Sequence, residues 1–147
     1  MNRILLVALL VILAANPCLD AGDDAAKALQ GVWVAKSMKA NGTMLPAEEV
    51  KRMQWTFQGD KLLMRGNFLD DREEACTYRL DPTQTPKHFD LTPPIQKRAA
   101  VLGIYEVKGD RLTLCLRRGD STKGRPTEFA SKVDTDLILI VLERKKP

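Results

Sequence analysis

Few side chains in this sequence have the type and spacing to do chemistry. In Arg125-Pro126-Thr127-Glu128-Phe129 a guanidinium and a carboxylate flank a proline, and Tyr105-Glu106 lies in the strand-like run Gly103–Leu116. Arg125 and Glu128 read first as a bidentate pair that pins a loop to the rest of the fold. A second reading makes Arg125 the anchor for a ligand carboxylate or phosphate, which its planar fork of donors fits. A third makes Glu106 and Glu128 an acid–base pair, which needs two carboxyl groups whose pKa values are pushed apart. His88 is the single histidine. It alternates with Phe89 and so faces away from the apolar side, with general base as its other reading. No G-x-S-x-G, no phosphate-cradling glycine loop and no Cys–His pair is present. The expectation is a protein that is not an enzyme and uses no cofactor, with a small hydrolase or isomerase as the catalytic alternative.

These residues have to be positioned by short strands. Val101–Val107 and Arg111–Leu116 flank Lys108-Gly109-Asp110, a hairpin signal. Upstream, a first strand runs from Leu29 to about Lys39, Asn41-Gly42 is a turn, and Pro46–Arg52 is a brief helix with proline at its start and glutamates in its first turn. Its length suits a lid or plug. Met53, Trp55 and Phe57 alternate on one face, and Leu62–Gly66, Ala75–Leu80 and Lys87–Leu91 follow as further strands. Asp70–Glu74 and Gln96-Lys97-Arg98 read as charged loops, Arg118–Gly124 as a polar one. Leu137–Leu142, LILIVL, is a closing strand covered on both faces. The pattern predicts an all-β fold of eight antiparallel strands, closed as an up-and-down barrel with one short helix after the first strand.

Residues 1–21 differ from everything after them. Arg3 is followed by the unbroken apolar run Ile4–Ala15, and Ala21 suits the position before cleavage, which predicts a signal peptide over 1–21 and a single domain over 22–147. The apolar run has twelve residues, fewer than the roughly 20 a membrane-crossing helix needs. No membrane span is therefore expected after cleavage, and the chain is expected in the periplasm or outside the cell. Cys18 raises lipid attachment as a lesser alternative, disfavoured by Pro17 directly before it. The net charge of +4 is scattered, with no basic run longer than Arg144-Lys145-Lys146, so a nucleic-acid partner is not expected.

Cys76 and Cys115 remain in the mature chain. Parity places Cys76 with Tyr78 and Leu80 on an apolar face, and Cys115 with Thr113 and the arginines, opposite Leu112, Leu114 and Leu116. One points in and the other out, so no disulfide is expected. Two cysteines and one histidine without close spacing also make no metal site.

Gly31-Val32-Trp33 resembles the G-x-W signature of lipocalins, in which the tryptophan plugs one barrel end and a basic residue of the last strand packs across its ring. Arg144 is placed to be that partner. Leu45-Pro46-Ala47-Glu48-Glu49, Phe57-Gln58-Gly59-Asp60-Lys61, Leu80-Asp81-Pro82, Phe89-Asp90-Leu91, Gly103-Ile104-Tyr105-Glu106 and Arg125–Phe129 extend the resemblance in order. Over about residues 28 to 144 the chain is similar to the uncharacterised lipocalin-like secreted domain of planctomycete bacteria. Its charged Phe68–Glu74 departs from that pattern, where a shorter turn is expected. The resemblance implies a fold and export, and leaves the function open.

The barrel interior then carries the functional expectation. With Trp33 pointing in, Ala35 and Ser37 point in beside it, and these small side chains face Trp55, Phe57 and Tyr105. Such a wall suits a small hydrophobic or amphipathic ligand, anchored by Arg125 or Glu128. Met53, Leu62, Met64, Leu112 and Leu114 are equally able to fill the same space. A packed barrel would instead suit a protein-interaction module of the cell envelope, marked by an exposed apolar patch.

Overall fold

A computed structural model describes residues 21–66, 72–94, 99–119 and 121–147. The expected signal peptide, apart from its last residue Ala21, lies outside these residues. So do Cys18, Gln96-Lys97-Arg98 and part of the charged loop before Glu74.

The chain opens with α1 (Ala21–Leu29), then β1 (Gly31–Ala40), a two-residue β2 (Thr43–Met44) and the single-turn α2 (Ala47–Val50). Seven strands follow: β3 (Gln54–Gln58), β4 (Lys61–Arg65), β5 (Glu74–Asp81), β6 (Lys87–Thr92), β7 (Val101–Lys108), β8 (Arg111–Arg117) and β9 (Leu137–Arg144). Each pairs antiparallel with the next, and β9 returns to β1, from Trp33↔Arg144 to Ala40↔Ile138. Setting aside the short β2, eight strands close a lipocalin-like barrel. No edge of β1 or β9 is left to template another chain.

Turn chemistry sorts the connections between the two barrel ends. Gln58↔Lys61 and Lys108↔Arg111 are joined by Gly59-Asp60 and Gly109-Asp110, with φ of +60° and +58° at the glycines, a conformation that favours a residue without Cβ. These two turns, the β5–β6 turn and α1 occupy one end. The other end carries α2, the last residues of β4, β6 and β8 and the first residues of β5, β7 and β9.

Inner positions follow the period of two with one break. Trp33 and Ala35 are buried, but a bulge between Ala35 and Ser37 shifts the register against β9. Ser37 is therefore not an inward residue; Met38 takes that place and is buried. The expected small-residue wall is one residue shorter and ends in a methionine. Gly103 lies where β6, β7 and β8 crowd together, since a Cβ there would come within 2.5 Å of the Leu116 side chain and 2.8 Å of the Cys115 carbonyl oxygen.

A second, smaller cluster lies outside the barrel. Ile104, Cys115 and Leu137 are buried there, with Phe129 and Leu139 packed against them. The segment from Arg118 to Asp136 covers them, so Cys115 points outward as parity predicts but does not meet solvent. Its thiol donates to the Ala130 carbonyl at 3.4 Å, and burial pushes it above the usual 9.0. Cys76 belongs to the barrel core, and no disulfide joins the two cysteines.

Candidate functional site

The end of the barrel carrying α1 is closed by a hydrogen-bonded plug. Trp33 Nε1 donates to the Leu29 carbonyl at 2.7 Å, and Leu29 itself is fully buried. Arg144 Cζ stands 4.3 Å from the Trp33 ring centroid, a cation–π geometry. The same guanidinium donates to the Gln30 carbonyl at 2.6 Å and the Ala28 carbonyl at 2.7 Å, satisfying acceptors left over at the end of α1. Gln30 completes the plug. It accepts from Gly59 N at 2.7 Å and donates to the Tyr78 hydroxyl at 3.0 Å, while Tyr78 donates to the Gly59 carbonyl at 2.6 Å. Neither Leu29 nor Gln30 stands out as a plug residue in the sequence, where both read as the start of a strand.

Aromatic rings fill the space behind the plug. Phe57 meets Tyr78 edge-on at 5.0 Å between centroids, Tyr78 stacks on Phe89 at 5.9 Å, and Phe89 meets Tyr105 at 6.4 Å. Burial pushes both phenols above their usual 10.0, and for Tyr78 the Gln30 hydrogen bond offsets part of that rise. A phenol whose folded pKa is raised contributes stability that is whole below the unfolded value and lost as pH climbs through the folded one. These are the two tyrosines of the chain. An alkaline titration is therefore expected to show no tyrosinate absorbance near pH 10, followed by its appearance together with loss of folded circular dichroism. Tyrosinate forming near pH 10 in the folded protein would contradict this.

The half of the barrel toward α2 has a different lining. Trp55 pairs across strands with Met64, and Met38 and Met53 are buried in the same core. Val50 of α2 is buried too, so this short helix packs onto that end. Among the described residues two buried polar atoms of the barrel have no hydrogen-bond partner: Trp55 Nε1 and the Tyr105 hydroxyl. Their residues are 5% and 3% exposed. Tyr105 lies at the other height of the barrel, where the Asp81 carboxylate acts on its hydroxyl.

Two expected ligand anchors are elsewhere. Asp90 alternates with the buried Phe89 and Leu91 and so faces outward, and Arg125 Nη1 donates to its Oδ1 at 2.5 Å and to the Gly103 carbonyl at 2.7 Å. Arg125 thus straps the outer loop onto β6 and β7 and does not reach the barrel interior. Glu128 is not its partner but pairs with Lys132 at 2.9 Å on the exposed loop. The loop-pinning role falls to Arg125 with Asp90, a pairing 35 residues apart that no local spacing signals. Arg125→Ala is expected to lower the unfolding free energy by about 1–3 kcal/mol, because it strands a half-buried carboxylate. Urea unfolding checks this, and a variant as stable as wild type would remove the loop-pinning role from Arg125.

The remaining candidates lie on the outside. Glu106 pairs with Lys108 at 3.2 Å at the exposed end of β7. His88 lies on the outer face of β6, opposite Asp81 and Ile104 in the neighbouring strands. It borders a charged cleft of about 800 Å³ between α1 and β5–β6 that Asp23, Lys27, Asp60, Arg79 and Asp81 also line. Among the described residues no three His, Cys, Asp or Glu side chains group to hold a metal ion, and no helix is long and apolar enough to cross a membrane.

Fold and site together define a lipocalin-like barrel, plugged at the α1 end, with Trp55 opposite Trp33 and methionines in the core beyond it. Compared with protein-family models, with curated proteins and with solved structures, the chain matches none.

Proposed function

We propose that this chain is an exported lipocalin-like domain, akin to the planctomycete secreted family its motifs resemble, that holds one small hydrophobic or amphipathic ligand in the α2 half of its barrel. The observation that carries the reading is Trp55 Nε1, a buried donor with no acceptor in the protein. Leaving such a group unsatisfied costs about 1–3 kcal/mol, and a ligand oxygen would remove that cost. Methionine lining suits the role, since unbranched thioether side chains repack around differing shapes. Nothing in this reading requires a reaction.

Native mass spectrometry of the protein purified gently from its own exported fraction tests it. A non-covalent adduct lost on denaturation is expected, on a bare chain whose mass begins after Ala21. A lipid-sized covalent excess starting at Cys18 would overturn the soluble-secreted part. A clean mass would favour the packed interaction module, for which Met44 and Val133, 60% and 69% exposed, are the apolar surface residues to follow.

A further inference from the structure

We propose that the ligand is a neutral molecule whose hydrogen-bond-accepting oxygen (ketone, ester or ether) is bound by Trp55 Nε1. The proposal deepens, and rests on, the reading that the barrel holds a ligand. An indole N–H donates and never accepts, so its partner must offer a lone pair. An ammonium head has none to offer, and a bare hydrocarbon gains nothing from the site's polar atom.

A carboxylate has the lone pairs but not the surroundings. Among the described residues no charged side chain is buried, and the one buried polar residue outside the aromatics and cysteines is Ser131. Ser131 lies outside the barrel, donating to the Leu137 carbonyl at 2.7 Å and accepting from Gly42 N at 3.0 Å. Arg144 is committed to α1 and Trp33 at the plugged end, and Arg125 is held outside by Asp90 and Gly103. An ionised head group in the α2 half would shed its hydration against methionine and leucine with no counter-charge, which costs several kcal/mol. A neutral oxygen loses far less and gains the same donor. The Tyr105 hydroxyl, the second unpartnered atom, is also neutral and offers a donor of its own. The Trp55 donor therefore favours an uncharged oxygen.

The test uses the full chain, four probes and two readouts. The probes are a medium-chain methyl ketone and the carboxylic acid, primary amine and alkane of the same length, each titrated by calorimetry at neutral pH into wild type and Trp55→Phe. The chain has two tryptophans, so the indole N–H proton spectrum holds two signals. Trp33 stands directly opposite Trp55 across β1 and β3 but is already bonded to Leu29, and Trp55→Phe assigns the two signals. The ketone is expected to bind about tenfold more tightly than each of the others, the value of one good hydrogen bond, and to move the Trp55 signal further than that of Trp33. Trp55→Phe should bring the ketone down to the alkane's affinity while circular dichroism stays unchanged. Equal or tighter binding of the acid, the amine or the alkane would overturn the neutral-oxygen proposal and leave the ligand reading standing. So would a ketone preference that survives Trp55→Phe. Failure of all four probes to bind or to move either signal would remove the ligand reading itself, and the proposal with it.

Discussion

Replacing Trp33 by alanine is expected to lower the unfolding free energy by about 3–5 kcal/mol, the usual cost of emptying a large aromatic site in a core. Trp33 is fully buried, bonded to Leu29 and opposite Trp55, so its removal leaves a cavity beside them rather than an opening to solvent. It also withdraws the donor to the Leu29 carbonyl and the ring beneath Arg144. Against a total stability of about 5–15 kcal/mol for a domain of this kind, the variant should be marginal at room temperature. Urea unfolding of wild type, Trp33→Phe, Arg144→Met and the double variant separates the contributions. Trp33→Phe keeps most of the volume and loses the hydrogen bond and part of the cation–π attraction. Arg144→Met keeps the aliphatic stem and leaves the carbonyls of Ala28 and Gln30 without their donor. A coupling of about 1 kcal/mol between the two is expected from the ring–guanidinium contact. Hydrogen exchange adds a spatial readout, since amides of α1 should lose protection in Arg144→Met before those of β3 to β8 do. Uniform loss of protection along the chain would show that α1 is not a separately held plug.

Phe89→Ala is expected to cost about as much, roughly 3–5 kcal/mol, and to say something Trp33 cannot. Phe89 is fully buried and touches three other rings: Phe57 at 6.4 Å, Tyr78 at 5.9 Å and Tyr105 at 6.4 Å. Such pairs add about 0.5–1.5 kcal/mol beyond simple burial, which places this variant at the upper end of the range. Removing this central ring should leave a dry, apolar hole that takes up benzene or xenon, each restoring part of the lost stability in proportion to its occupancy. A loss under about 1 kcal/mol would mean that the rings collapse into the gap.

Much of this architecture is legible in residue order, and the parts that are not share a cause. The Met53–Trp55–Phe57 alternation and the two Gly-Asp turns are local signals, complete within a few residues, and the strands and hairpins they announce are present. The outward parity of Cys115 is equally local, yet parity says only which way a side chain points. What covers it is a loop fifteen residues further on, bonded at 3.4 Å through Ala130. The bulge after Ala35 leaves no mark in composition, because Ser37 and Met38 are both ordinary strand residues; only the pairing with β9 exposes the extra residue. Arg125 shows the same limit at the level of the site. Its nearest carboxylate in sequence is Glu128, but the outer face of β6 brings Asp90 closer. Trp55 reads from alternation as one inward aromatic among several. That its indole nitrogen lacks an acceptor is a property of all the surrounding strands at once.

Closure of the barrel also sets an order of events during synthesis. The guanidinium that holds α1 in place comes from Arg144, 114 residues after the Gln30 carbonyl it binds. β1 has β3 on one side from early on, but its other neighbour is β9, the last strand to be made. Until that strand arrives, the long apolar β1 has a bare edge and α1 has no basic partner. Such late, distant pairing makes for slow folding and a growing chain with a sticky margin. The eight-residue β9 is thus the piece that both closes the barrel and fixes α1.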